Sequence, residues 1–540
     1  MNRRNFIKNM AVSAGSVSPL LKVGGGLGLL SSSVSASEPS FDDYKAIVII
    51  HMDGGNDAMN TFPPTDTNTY AQYANIRRNL AVKDKDLSKS IYYKKDTKGY
   101  YKIDGDGIGD KQPYWPNDNV ALGDEGKMKE QYTIGSYHTR KNGALHDDVN
   151  AEPTGIGIHA YMPEIAALYE NKKLSIVSNI GILNEPITKG VTPSSAYPPF
   201  LFSHLHQYRA VGYLSSNPLE KTGWAGRLAD RWKVDGRSIG LNLSFTNGNA
   251  LFAGKSTNAL KLSSEGMKAF PVDNDYLKSV ATDTYNKNNL KRAYKDNISQ
   301  IASFMGDVNA TWSKAKDFTT FEAKNTYGKN LFHSGGDNDE FQRNLGMRTH
   351  HGLSKKLFSS LQSTAKMIEL SKNDLKHKRQ IFNVSESGYD FHGGQVDAHT
   401  KKLRALSMGV SDFYKALEEM EMEKEVLVIL TSEFGRTMKS NEDGTDHGWG
   451  GHSFMLCGDD NFNGGNIFGK VMTNVELDGP NAHTNRARII PTTSIEQMLA
   501  PALDWFGVDA DTMDHVLPNL KNFRDETGEV ESAYLKDVFS

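Results

Sequence analysis

Unbroken apolar runs punctuate an otherwise polar chain: KAIVIIH beginning at Lys45, LSIVSNI at 174–180 and EVLVILT at 425–431. Continuous rather than alternating hydrophobicity fits strands covered on both faces. A further strand is expected at 379–384. Helical spacing precedes two of these strands, in YMPEIAALYEN at 161–171 and in the Ala-, Leu-, Met-, Lys- and Glu-rich stretch 399–423. Helices alternating with such strands predict an α/β fold, a doubly wound and mostly parallel sheet with helices on both faces.

Two stretches interrupt the alternation. Residues 83–135 form a polar, loop-rich insertion dominated by Lys, Asp, Gly and Tyr. Residues 275–375 are rich in Lys, Asn and Ser, with helical patterns near 285–315 and 353–372. They are expected to form a helical insertion laid over the sheet of one domain spanning 40–540.

The first 36 residues read as an address. Arg3-Arg4 with Phe6 opens the chain, a weakly apolar stretch follows, and Val34 and Ala36 supply a small-residue cleavage pattern. Paired arginines followed by Phe resemble a twin-arginine signal peptide, which implies passage through that export machinery and a periplasmic or secreted destination. Lys22 and the run Gly24-Gly25-Gly26 argue against a stable membrane anchor. Cleavage would remove Arg3, Arg4, Lys8 and Lys22 and no acid, leaving the mature chain more acidic than the −3 of the full sequence. That balance gives nucleic-acid binding no electrostatic support. The lone cysteine, Cys457, excludes a disulfide framework and a cysteine-built metal site.

In open parallel sheets ligands bind beyond the carboxyl ends of the strands, and here those positions are rich in donors. Asp53 and Asp57 flank Gly54-Gly55-Asn56 after the first run. FLFSHLHQY carries Ser203, His204 and His206 after the second. Asp390 and His392 follow 379–384, and Glu433, Arg436, His447 and His452 follow 425–431. Carboxylates mixed with imidazoles suit a divalent metal of the zinc or manganese class. Separately, DGDGIGD places Asp104, Asp106 and Asp110 among glycines. That spacing fits either a calcium loop at 104–110 or a plain acidic turn.

The twin-arginine start, GGNDAMN after the first strand, GWAGRL at 223–228, SEFGR at 432–436 and GTDHG at 444–448 together resemble the exported domain-of-unknown-function 1501 family. That family is similar in turn to the alkaline phosphatase and sulfatase superfamily, and the resemblance implies a two-metal site at the carboxyl edge of the sheet. By this resemblance Asp53 takes the place of the superfamily's first aspartate, while Asp57 fits the exported family's GGxD pattern. Ser203 takes the nucleophile's place, Asp390 and His392 that of an Asp/His pair, and Glu433 that of a metal-binding Asp. His447 or His452 stands for a late His ligand, and Arg436 is expected to clamp an anion. Phe434 departs from the pattern, for it replaces a metal-binding His. The reading is a metal-dependent hydrolase of phosphate or sulfate esters, its partner an anionic ester. The alternative is a non-catalytic binding or scaffold protein with a degenerate metal site.

Overall fold

The computed structural model describes residues 40–84, 86–89, 93–95, 101–103, 135–145, 150–215, 217, 219–232, 241–245, 250–255, 257, 259–262, 321–325, 329–334, 354–373 and 376–540. The export signal at 1–36, the calcium candidates Asp104, Asp106 and Asp110, and the helical pattern at 285–315 lie outside the described residues.

The core elements follow the apolar runs. They are β1 (Lys45–Asp53), α1 (Thr67–Arg77), α2 (Pro163–Glu170), β2 (Leu174–Gly181), α3 (His204–Tyr213), α4 (Trp224–Trp232), β3 (Asn242–Ser244) and β4 (Leu260–Lys261). Then come α5 (Lys355–Asn373), β5 (Arg379–Ser387), α6 (Gln395–Glu419), β6 (Val426–Ser432), β7 (Arg436–Ser440), β8 (Thr445–His447), β9 (Gly451–Leu456), β10 (Ile467–Phe468), β11 (Thr493–Ser494) and α7 (Ile495–Trp505). The long helix begins at Gln395, four residues earlier than its apolar spacing indicates. Gly394, at φ +62°, turns the chain into it.

Among the described residues the main sheet has nine strands, in the order β10–β2–β9–β6–β1–β5–β3–β4, with β11 also on β2. Its pairings are parallel except for those of β9 with β6 and β2. The fold is therefore α/β, with a mixed, mostly parallel sheet.

Side-chain alternation along β1 divides the core in two. Val48 and Ile50 face one cluster with Leu361 of α5 and Leu406 and Phe413 of α6. Ile47 and Ile49 face the other, with Trp224 and Leu228 of α4 and Leu499 of α7. Burial on both sides explains why the strand reads as continuously apolar. Helix α5 packs within the first cluster, so this end of the 275–375 stretch belongs to the helical layer against the sheet.

Register sets the site. Strand β1 lies between β5 and β6, pairing Asp53 with Ser387 and Met52 with Ser432. The three strands end almost level, so Asp390 and Glu433 emerge beside Asp53.

Candidate functional site

Two donor clusters stand at this edge. His204, Asp390 and His447 offer ligand atoms that lie within 4.8 Å of one another, as do His51, Asp53 and Glu433. His51 and Asp53 are two apart on β1 and thus share a face of the sheet. Glu433 leaves the end of β6, and His204 is the first residue of α3.

Glu433 links the clusters. Its side chain is fully buried, and its Oε1 accepts the Gly54 N–H at 2.8 Å and His204 Nδ1 at 2.9 Å. Its Oε2 faces His51 Nε2 at 3.4 Å. Burial pushes the Glu433 carboxyl up, but His204 and His51 more than reverse this and hold it well below the ordinary carboxylate range. The bond to Glu433 raises His204 in return.

The close approach at Gly54 depends on its lacking a side chain. It sits at φ +121°, and a Cβ there would lie 2.6 Å from the backbone nitrogen of Asp390.

In the first cluster Asp390 is the hub. Its Oδ1 accepts Arg436 Nη1 at 2.8 Å and lies 3.0 Å from His392 Nε2 and 3.2 Å from His447 Nε2, while Oδ2 is 3.3 Å from His204 Nε2. Partial burial opposes ionisation, yet Arg436 and the imidazoles keep the carboxyl below its usual range. His447 Nδ1 donates to the Phe202 carbonyl at 2.8 Å. That bond fixes the tautomer and turns the Nε2 lone pair of the neutral ring toward Asp390. His392 joins at the rim, its Nε2 2.9 Å from His447 Nε2 and its Nδ1 3.3 Å from Asp446 Oδ1.

Two buried nitrogens, His51 Nε2 and His204 Nε2, have no hydrogen-bond partner among the described residues. Orphaned buried imidazole nitrogens facing carboxylates fit a divalent cation of the zinc or manganese class. The residues present therefore fit such a metal: His204, Asp390 and His447 for one ion, and His51, Asp53 and Glu433 for another.

Of the residues expected from the sequence, Asp53, Asp390, His392, Glu433 and His447 come together. Asp57, His452 and Arg436 require correction, and Ser203 stands beside the clusters with its hydroxyl turned away. Asp57 is committed to a buried ion pair, with Arg77 Nη1 at 2.5 Å and Nη2 at 2.8 Å, and it also accepts from Gln395. It anchors α1, not a cation. His452 is buried in β9, where its Nδ1 accepts the Asn179 N–H at 3.2 Å and its ring stands edge-on to Phe62. Burial depresses its pKa to about 4, so it is a neutral core imidazole. Arg436 is buried behind Asp390, with its donors given to Asp390 and to the hydroxyl and carbonyl of Thr445. It braces a carboxylate and offers no open anion clamp. The Ser203 hydroxyl is paired with His206 Nδ1 at 2.9 Å on the exposed side of α3; its neighbour His204 turns inward instead.

Sequence reasoning missed His51 and, though it marked His204 among the donors after the second strand, gave it no place among the ligands. The spacing His51-x-Asp53 at a strand end was an available signal for the first. His204 was passed over for the neighbouring Ser203, which the family resemblance favours.

Fold and site together define an α/β protein with paired cation-type donor clusters at the carboxyl edge of its sheet. A family model described as "Protein of unknown function (DUF1501)" matches residues 360–513. The match takes in Asp390, His392, Glu433 and His447 and leaves out His51, Asp53 and His204. No curated protein matches the chain. Two crystal structures are distantly similar, each at 10% identity. One, titled Ps i-CgsB, has a TM-score of 0.29 over 68% of this chain and 72% of that one. The other, Ps i-CgsB in complex with k-i-k-neocarrahexaose, has a TM-score of 0.27 over 58% of this chain. In that second comparison the match spans 63% of the other chain's length.

Proposed function

We propose that this chain is an exported, divalent-cation-dependent hydrolase of phosphate or sulfate esters. The observation that carries the reading is the pair of three-donor clusters joined through the 2.9 Å contact of His204 with Glu433. Bound there, divalent cations would supply positive charge to polarise the ester and stabilise its leaving oxygen.

The residues of the chain would do the rest. Glu433 and the Phe202 carbonyl orient His204 and His447. Arg436 holds Asp390 from behind and keeps it ionised. Ser203 lies between Phe202 and His204, both of which touch the clusters, so it retains the nucleophile's place in this reading. Its hydroxyl must leave His206 and turn inward to act. The arginine pair of the opening segment supports export. No helix among the described residues is long and apolar enough to cross a membrane.

The test is metal analysis of the exported protein with a panel of phosphate and sulfate esters, alongside Asp390→Asn and Ser203→Ala. Cation-dependent turnover abolished by Asp390→Asn is expected. Full turnover by Ser203→Ala would remove the nucleophile assignment. Tight cation binding with no turnover of any ester would favour a second reading, a binding protein with a degenerate centre. Two observations favour that second reading: Arg436 already supplies a fixed charge 2.8 Å from Asp390, and the Phe434 ring stands 4.9 Å from those of both His204 and His447.

A further inference from the structure

Positive charge gathers on one flank of the donor clusters. Arg488 Nε donates to the His447 carbonyl at 2.8 Å, its guanidinium lies 4.1 Å from the Phe202 ring centroid, and Nη1 reaches Thr484 Oγ1 at only 3.4 Å. Arg486 is half exposed and touches Asp446 Oδ2 through Nη1. The other oxygen of Asp446 faces His392, so this arginine is tied directly to the rim of the site. The His483 ring packs 5.7 Å from Phe202 and 5.1 Å from Tyr197.

These groups repel one another. His483 is depressed by burial and then by Arg488 and Lys189. Lys189 is answered by Asp478 at 2.8 Å and Arg486 by Asp446, whereas Arg488 gives its donors to a carbonyl and a hydroxyl. Crowded guanidinium groups with spare planar donors are relieved by an anion that accepts from both.

We propose that Arg486 and Arg488, with His483 beside them, form a subsite for a second anionic group of the substrate, a phosphate, sulfate or carboxylate remote from the reacting ester. The substrate class is then a polyanionic ester, with one anion at the donor clusters and another on the arginine flank. The substrate half of this inference rests on the hydrolase reading; anion binding at the arginines does not.

The experiment separates the two. The full chain, stripped of metal with chelator, is titrated with inorganic phosphate by calorimetry. Saturable binding is expected, weakened about tenfold or more in Arg486→Gln/Arg488→Gln, as loss of a charge-assisted hydrogen bond implies. It should be unchanged in Lys424→Gln, whose exposed ammonium pairs with Asp460 at the opposite end of β6. No saturable binding by the wild type, or wild-type binding by a folded arginine variant, overturns the subsite. The arginine variant should also retain its cations; losing them while folded would make the arginines braces for His447 and likewise overturn it. With esters, the same variant should lose kcat/KM about tenfold more for a substrate with a second anionic group than for one without. Should no ester be turned over, the hydrolase reading falls while the phosphate titration still decides the subsite.

Discussion

His204 donates Nδ1–H to Glu433 Oε1 at 2.9 Å, so the first residue of α3 and the residue just past β6 hold each other across the rim of the sheet. The carboxylate serves both clusters: it orients the imidazole of one and is a donor of the other. Glu433→Gln keeps an acceptor for the Gly54 N–H but removes the charge. It should weaken divalent-cation binding by roughly 10- to 100-fold, the usual effect of losing a group that orients a ligand. Cation titration of the folded variant measures this. Wild-type affinity would mean that Glu433 is a structural carboxylate only.

Asp57 makes the opposite prediction. Its carboxylate and the Arg77 guanidinium are both essentially inaccessible to solvent. Removing one partner leaves the other charged and buried, which costs about 3–5 kcal/mol. Asp57→Ala should therefore unfold at markedly lower denaturant and, at low temperature, still bind cations as the wild type does. A folded Asp57→Ala lacking its cations would return this residue to the metal centre.

This contrast shows what a sequence can carry. The strands at 45–53, 174–181 and 426–432 were legible because burial on both faces leaves an unbroken apolar run, and Glu433 because it follows such a run directly. Asp390 and His447 were legible instead from their acid–His motifs, Asp390-x-His392 and GTDHG. The pairing of Asp57 was not, since Arg77 sits twenty residues on, in a helix whose docking only the fold determines. His51 was hidden inside an apolar run, where it reads as the end of a strand. His204 and Ser203 are adjacent, and only the direction of α3 decides which of them turns inward. His452 is the second residue of β9, which runs against its neighbours in the main sheet, so its position after β6 said nothing about its surroundings.

The buried state of His452 gives a pH signature. Its folded pKa, pushed to about 4, lies below the ordinary imidazole value of 6.5. The stability this provides is present above pH 6.5 and is lost as pH falls toward 4, because the unfolded chain takes up the proton first. At about 1.4 kcal/mol per pKa unit, the effect is on the order of a few kcal/mol. His452→Gln, which can still accept the Asn179 N–H, should lose less stability than the wild type between these limits. Denaturant unfolding at several pH values compares them, and parallel pH profiles would show that this imidazole is not buried neutral.

Gly55 tests whether Phe434 belongs to the site. The glycine sits at φ +77°, and a Cβ there would be driven into the Phe434 ring. That ring packs 4.9 Å from the rings of both His204 and His447, so moving it disturbs one donor cluster directly. Gly55→Ala carries two penalties: about 1–2 kcal/mol for a left-handed L-residue and about 1–3 kcal/mol for overpacking. It should lower both stability and cation affinity. Adding Phe434→Ala to it opens the space but leaves the backbone conformation, so the pair should recover the overpacking part and keep the other. Cation affinity should recover with it, because the imidazoles are no longer pushed. Additive losses in the double-mutant cycle would show that Gly55 and Phe434 act separately, and that the aromatic ring does not set the positions of His204 and His447.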